Sequence, residues 1–290
     1  MKTLLGLIKT MRPTQWVKNL VVLGPLLFAH QLLHLEVALR ALAAFALFCL
    51  LASAIYMLND IVDVDADRVH PVKKSRPIAA GTVPVATAKL AFGVLVTTVA
   101  VGSLLLAWPM LLTTMGYLVL NIAYSFKLKR VAYVDVVCIA LGFELRVLTG
   151  AFAVDVPPSI YLVVVMFLAA MFLGLGKRLH ELGVASGGET RSVLKAYDAG
   201  IVMGLLVGFG LATVATYAMY TLDADTIARF GTSYLVLSTL PAAAGMSRFV
   251  YLVRRKGHAE SPTDAMLRDV PFLGSLAVWA IAVVAILYAG

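Results

Sequence analysis

Blocks of about 20 apolar residues recur along the whole chain, joined by connections that alternate between short, sparsely charged ones and long, basic ones. A hydrocarbon core of roughly 30 Å takes about that many helical residues to cross. The apolar windows predict nine spans, at approximately 17–33, 38–59, 87–107, 109–126, 132–153, 160–179, 199–221, 232–253 and 271–290. With 61% hydrophobic and 14% charged residues, the chain lies far from the roughly 25% charge of a soluble domain. The first block follows a basic start, MKTLLGLIKTMRPTQWVKN, that lacks a small-residue cleavage site. That pattern predicts a retained first span rather than a removable signal peptide.

Charge then sets an expected orientation. With the N-terminus inside, all but three of the 24 Lys and Arg fall on inner connections or adjacent span ends, among them Arg191, Arg255 and Lys256. The exceptions are Arg40 and Arg229 outside and Arg146 within a span. Such asymmetry predicts a cytoplasmic N-terminus and an outer C-terminus. The formal charge of +8 is read as topology plus attraction to anionic headgroups and phosphorylated substrates, not as nucleic-acid binding. Cys49 and Cys138 both lie in apolar spans and read as small packing residues.

Acidic residues at a membrane edge are costly and call for an explanation. The second span runs into Asn59-Asp60-Ile61-Val62-Asp63-Val64-Asp65-Ala66-Asp67. On a helix, Asn59, Asp60, Asp63 and Asp67 share an arc of about 100°, with Asp65 on the other side. Three carboxylates on one face repel unless something positive sits among them. Hard oxygen donors of this kind suit Mg²⁺, which keeps waters and bridges to substrate phosphates. The competing reading is a solvated acidic stretch ending a helix. Pro71 is expected to end or bend the helix. Lys73, Lys74 and Arg76 follow beside the acids, the mixture a metal–diphosphate complex requires.

This stretch carries a resemblance. Asn59-Asp60-x-x-Asp63-x-x-x-Asp67 followed by Arg76-Pro77-Ile78-Ala79-x-Gly81 resembles the first aspartate-rich motif of the UbiA prenyltransferase superfamily. The resemblance implies an all-α integral membrane fold over residues 1–290, one bundle of nine transmembrane helices in a single domain. It also implies a polar cavity open to the cytoplasm, with Mg²⁺ and a diphosphate at its mouth and a lipid entering from the side.

Other inner-face segments narrow the choice within the superfamily. Most prenyl-transferring members carry a second aspartate-rich motif after the sixth span. Here that place reads Gly176-Lys177-Arg178-Leu179-His180-Glu181, with two cations where carboxylates are expected. Cations in place of acids suit a donor richer in phosphate, and Arg suits bidentate phosphate contacts. Together with Arg12-Pro13-x-Gln15-Trp16-x-Lys18-Asn19, Tyr124-Ser125 with Lys129 and Asp135, and Gly142-Phe143-Glu144-Leu145-Arg146, the pattern resembles the phosphoribosyl-transferring branch of the superfamily. That branch joins 5-phosphoribosyl 1-diphosphate to a polyprenyl phosphate of decaprenyl type, releases pyrophosphate, and feeds cell-envelope glycan synthesis at a bacterial-type inner membrane. The resemblance gives Asp60, Asp63 and Asp67 the catalytic metal, with Asn59 assisting. It gives substrate contacts to Lys18, Asn19, Tyr56, Lys73, Arg76, Tyr124, Lys129, Asp135, Arg146, Lys177, Arg178 and Glu181.

Several signals keep two readings. Arg146 lies about 16 Å beyond Asp135 on nearly the same stripe of the fifth span. It either meets phosphate or an internal carboxylate, or forms a structural interhelical ion pair. His70 either caps its helix or touches phosphate, and His30 and His34 read as interfacial. Two other functions compete: a UbiA-type prenyltransferase acting on an aromatic or lipid acceptor, and a cation-binding transporter. The transporter would place polar residues through the depth of the membrane, whereas the outer half is nearly devoid of them. A homo-oligomer is compatible with the sequence.

Overall fold

Apart from the first, every predicted span folds mainly as α-helix, the form in which the backbone satisfies its own hydrogen bonds in hydrocarbon. The computed structural model describes residues 2–28, 33–184, 192–254, 265–266 and 268–288. His30, Arg191, Arg255 and Lys256 lie outside the described residues. In chain order the α-helices are α1 Lys2–Met11, α2 Gly24–Phe28, α3 Leu35–Val62, α4 Val64–Val69, α5 Val85–Leu106 and α6 Trp108–Phe126. There follow α7 Val134–Ala153, α8 Ile160–Val184, α9 Ala199–Leu222, α10 Ala224–Phe230, α11 Thr239–Arg254 and α12 Val270–Tyr288. Among the described residues, eight helical segments are long and apolar enough to cross a membrane.

The first predicted span is built differently. Residues Pro13–Leu23 form a 3-10 helix, which hands over to the five residues of α2. Arg12, just before it, sits in the left-handed region (φ 53°, ψ 62°), so the chain turns sharply between α1 and Pro13. A 3-10 helix rises about 2.0 Å per residue against 1.5 Å for an α-helix, giving the combined segment a contour of roughly 30 Å. Stretching thus gives 16 residues the reach of a longer α-helix.

Packing gathers the chain into two compact units. One comprises Met1–Phe126 and Leu145–Pro158, the other Lys127–Glu144 and Ser159–Gly290. In the first unit α3 is the hub, packed by α1, the 3-10 helix, α5 and α6. Phe48, Leu51, Ile55, Val99 and Met110 form its core. Gly150 is essential to the close approach there: a Cβ at this position would lie 1.9 Å from the carbonyl oxygen of Val22. In the second unit α8 packs on α9 and α11. Its core holds Val136, Leu175, Leu206 and the Phe172 and Phe249 rings, whose centroids are 5.1 Å apart. A Cβ on Gly176 would meet the Phe249 ring at 2.4 Å, so a small residue is required for this helix contact. Large apolar side chains such as Leu90, Leu105, Val270 and Ile281 stay exposed on the outer faces, as lipid contact demands.

Candidate active site

The acidic stretch sits where α3 ends. The helix continues through Val62 and breaks at Asp63 (φ −90°, ψ 7°) before α4 begins. Asp67 N–H still bonds to Asp63 O at 2.8 Å, so the helical periodicity survives the break. Asp60 and Asp67 remain on one side, while Asp65 points away and pairs with Arg68 at 2.9 Å. The chain becomes extended at His70 (φ −77°, ψ 137°), the conformation a following proline favours. His70 Nδ1 accepts the backbone N–H groups of Val72 and Lys73 at 3.1 and 3.2 Å. That gives its ring a structural job in this turn.

The RPxAxG segment is a turn that aims Arg76 back at the acids. Ala80 N–H bonds to Arg76 O, Gly81 N–H to Ile78 O and Val83 N–H to Pro77 O. Gly81 adopts φ +73°, which explains glycine at that place. Ile78 is 1% exposed and packs with Met57, Val83 and Ala88, fixing the turn to α3 and α5. Arg76 NH1 lies 2.6 Å from Asp67 Oδ2 and 3.2 Å from Asp60 Oδ1.

A second guanidinium completes the cluster. Arg12 NH2 lies 2.6 Å from Asp60 Oδ1, and its Cζ lies 4.9 Å from the Tyr56 ring centroid. The positive charge that the acids require is therefore supplied by the chain itself. Sequence reasoning missed Arg12 as a site residue, although it opens the Arg12-Pro13-x-Gln15-Trp16 motif.

Below this cluster a polar ladder joins the 3-10 helix to α3. Trp16 Nε1 donates to Ser53 Oγ at 3.1 Å, and Asn19 Nδ2 donates to Cys49 Sγ at 3.4 Å. Arg12, Trp16 and Asn19 thus face Asp60, Ser53 and Cys49, in steps of four and three along the 3-10 helix and of seven and four along α3. At its inner end Arg146 Nε donates to Asn19 Oδ1 at 3.0 Å and NH2 to Tyr117 Oη at 2.6 Å. Its guanidinium also packs over the Phe48 and Tyr117 rings. Cys49 is eleven residues from Asp60, about 16 Å along α3. Arg146 is therefore held deep, against Asn19 and aromatic rings.

The metal expectation meets a specific geometry. Among the described residues no three His, Cys, Asp or Glu converge as a metal cage. Asn59 Oδ1 accepts Ser125 Oγ–H at 2.6 Å, and Asp63 caps the end of α3. What converges is the pair Asp60 and Asp67, both on the Arg76 guanidinium. Two carboxylates focused on one cation fit Mg²⁺, which usually takes one or two carboxylates and completes its shell with water and substrate phosphate. Lys18 and Lys73 are exposed, and Tyr124 is half-buried.

The second unit holds the remaining predicted residues. Arg178 is 1% exposed, with Nε 2.8 Å from Asp135 Oδ2, and it also pairs with Glu181. Asp135 is fully enclosed and accepts the Tyr197 hydroxyl, which in turn accepts Tyr133 N–H at 2.8 Å. Burial, reinforced by the bond to Asp135, pushes the Tyr197 hydroxyl pKa up, so it remains a donor. Desolvating Arg178 requires acid partners, and Asp135 and Glu181 supply them. Lys129 and Lys177 are half-buried. Glu144 is 7% exposed, and neither carboxylate oxygen has a hydrogen-bond partner among the described residues.

The spans define a multi-pass membrane protein, and a charge cluster stands at the end of one of them. Residues 20–268 match the UbiA prenyltransferase family, and the chain belongs to that family. It is 32% identical over 276 residues to the decaprenyl-phosphate phosphoribosyltransferase of Mycolicibacterium smegmatis, covering 91% of this chain and 86% of that one. The protein of the same name from Mycobacterium tuberculosis is 33% identical over 270 residues, covering 91% and 88%. A UbiA homologue from Archaeoglobus fulgidus, solved bound to DMAPP and Mg²⁺, shares the fold with a TM-score of 0.72 at 18% identity. That match covers 97% of this chain and 98% of the homologue.

Proposed function

We propose that the protein transfers 5-phosphoribose from 5-phosphoribosyl 1-diphosphate to a polyprenyl phosphate of decaprenyl type. The products are polyprenyl-phosphoryl 5-phosphoribose, a precursor for cell-envelope glycan, and pyrophosphate. The observation that carries the reading is the convergence of Asp60 and Asp67 on Arg76 beside Arg12. Acids for a metal and forked donors for phosphate stand together at one helix end. Relatives bearing the phosphoribosyltransferase name, matched along most of both chains, support the choice of donor.

In this reading the chain crosses the membrane nine times, the first time through the 3-10 segment, with its N-terminus and the site facing the cytoplasm. The membrane is a bacterial-type inner membrane. The nucleophile is an oxygen of the lipid phosphate, anionic at neutral pH, so no strong base is required. Its bond to ribose C1 forms as the bond from C1 to the diphosphate oxygen breaks, and pyrophosphate leaves with the electron pair. When bound, Mg²⁺ on Asp60 and Asp67, with Asp63 and Asn59 assisting, stabilises the charge gathering on that leaving group. Arg76 holds the donor's diphosphate, and Lys73 contributes positive charge toward its phosphates. Lys18, Tyr56 and Tyr124 contact substrate, while Asn19 and Arg146 fix the wall on which Tyr56 and Arg12 stand.

Purified protein supplied with Mg²⁺, decaprenyl phosphate and labelled 5-phosphoribosyl 1-diphosphate is expected to move label into the organic phase and release pyrophosphate. Turnover of a labelled prenyl diphosphate with an aromatic acceptor, and none of the phosphoribosyl donor, would replace this reading with the prenyltransferase one.

A further inference from the structure

The exposure of the cluster is lopsided. The Asp60 and Asp67 side chains are 2% and 3% exposed, while Arg12 and Arg76 are 32% and 28% exposed. The open face is therefore cationic, and the negative charge lies beneath it. Two guanidinium charges balance two carboxylates, so a bare divalent cation meets a neutral cluster through its positive side. An anion meets two forked donors.

Arg12 is held there against backbone preference. The left-handed region brings the Cβ of an L-residue too close to the following carbonyl oxygen. A following proline disfavours helical conformations further. The contacts to Asp60 and to the Tyr56 ring hold the side chain in place. A stronger anionic partner on the open side would compete directly with Asp60 for this group.

We propose that Arg12 is a donor-diphosphate-binding residue, and that Arg12 and Arg76 keep the acidic pair closed to metal until a diphosphate draws their guanidinium groups away. The inference rests on the functional reading above for the presence of a metal-associated diphosphate. Arg12 and Arg76 both stand on Asp60 Oδ1 and Arg76 on Asp67 Oδ2, so a cation approaching those oxygens meets guanidinium charge already there and competes with it. Phosphate offers arginine the same forked geometry as carboxylate with more charge, so its arrival exchanges Arg–Asp pairs for Arg–phosphate pairs. The uncovered carboxylates then face the metal that the phosphates bring. Metal and diphosphate consequently bind cooperatively, each strengthening the other by the same factor.

The test uses the full-length protein in detergent micelles and two probes. Mn²⁺ alone is titrated by the electron paramagnetic resonance of the free ion, and labelled inorganic pyrophosphate by equilibrium dialysis at saturating Mg²⁺. Arg12→Gln is expected to bind Mn²⁺ alone on the order of tenfold tighter than the unaltered protein, and pyrophosphate on the order of tenfold weaker. Unchanged Mn²⁺ affinity in Arg12→Gln overturns the proposal, because Arg12 then does not compete for the acids. Weakening of both ligands overturns it too, because Arg12 then only supports the fold. Arg12→Lys, which keeps the charge, is expected to shift both affinities in the same directions by less. A Lys variant that binds pyrophosphate more tightly than the parent contradicts the proposal. Pyrophosphate is the leaving group of a phosphoribosyl or a prenyl donor alike. Failure here beside a successful labelled-donor assay removes the gate alone, and the reverse revises the transferred group alone.

Discussion

Asp60→Asn should lower phosphoribose transfer by on the order of 10³-fold while leaving the protein folded. The amide has nearly the shape of the carboxylate, and its oxygen still accepts from Arg12 and Arg76, which lie 2.6 and 3.2 Å from Asp60 Oδ1. What disappears is one negative charge in an enclosed place, where a hard cation has few other anionic ligands. Asp67→Asn should act in the same direction, since Asp67 shares Arg76 with Asp60. Asp65→Asn is the matched control: its carboxylate is 88% exposed and bonds only locally to Arg68. A surface change of this kind should leave transfer within about twofold. Rates of label entering the lipid fraction, measured beside size-exclusion profiles of each variant, check the set. Near-normal transfer by Asp60→Asn would remove the acids from the chemistry.

The second large effect concerns stability. Arg178→Met should destabilise the protein by about 3–5 kcal/mol, because it leaves Asp135 charged and enclosed without its ion-pair partner. The two side chains are 1% and 0% exposed, so water cannot substitute for the lost contact. Adding Asp135→Asn should recover much of that loss. The double variant buries no uncompensated charge, and the asparagine oxygen still accepts the Tyr197 hydroxyl and Val136 N–H. Thermal unfolding midpoints of the two single variants and the double variant in one detergent measure the coupling. A phosphate-contacting Arg178 with no structural role would give the opposite pattern, with an unchanged midpoint and weaker donor binding.

The placement of the spans was legible because hydropathy at this scale is a property of neighbouring residues. The shared face of Asp60 and Asp67 was legible too, since helical periodicity carries it even across the break at Asp63. Arg12 was harder to read. Its partner lies 48 positions away, and no local pattern says that the chain turns left-handed before Pro13 and brings the guanidinium over Tyr56 and onto Asp60. The burial of Arg178 was hard to read for a related reason. Its Glu181 partner lies three residues on along the same helix, but Asp135 lies on another helix and is brought there by tertiary packing. The 3-10 form of Pro13–Leu23 was not legible, because hydropathy marks an apolar span there without choosing between helix types. The two backbone N–H groups that the His70 ring accepts belong to the turn after Pro71, which hydropathy and helix periodicity do not describe.

A cryo-electron microscopy map of the protein with Mg²⁺ and 5-phosphoribosyl 1-diphosphate examines the core of the account without relying on rates. The diphosphate is expected within roughly 3 Å of the Arg76 guanidinium, with an ion between its oxygens and the carboxylates of Asp60 and Asp67. A donor bound elsewhere, with Arg12 and Arg76 still paired to those two acids, would contradict it.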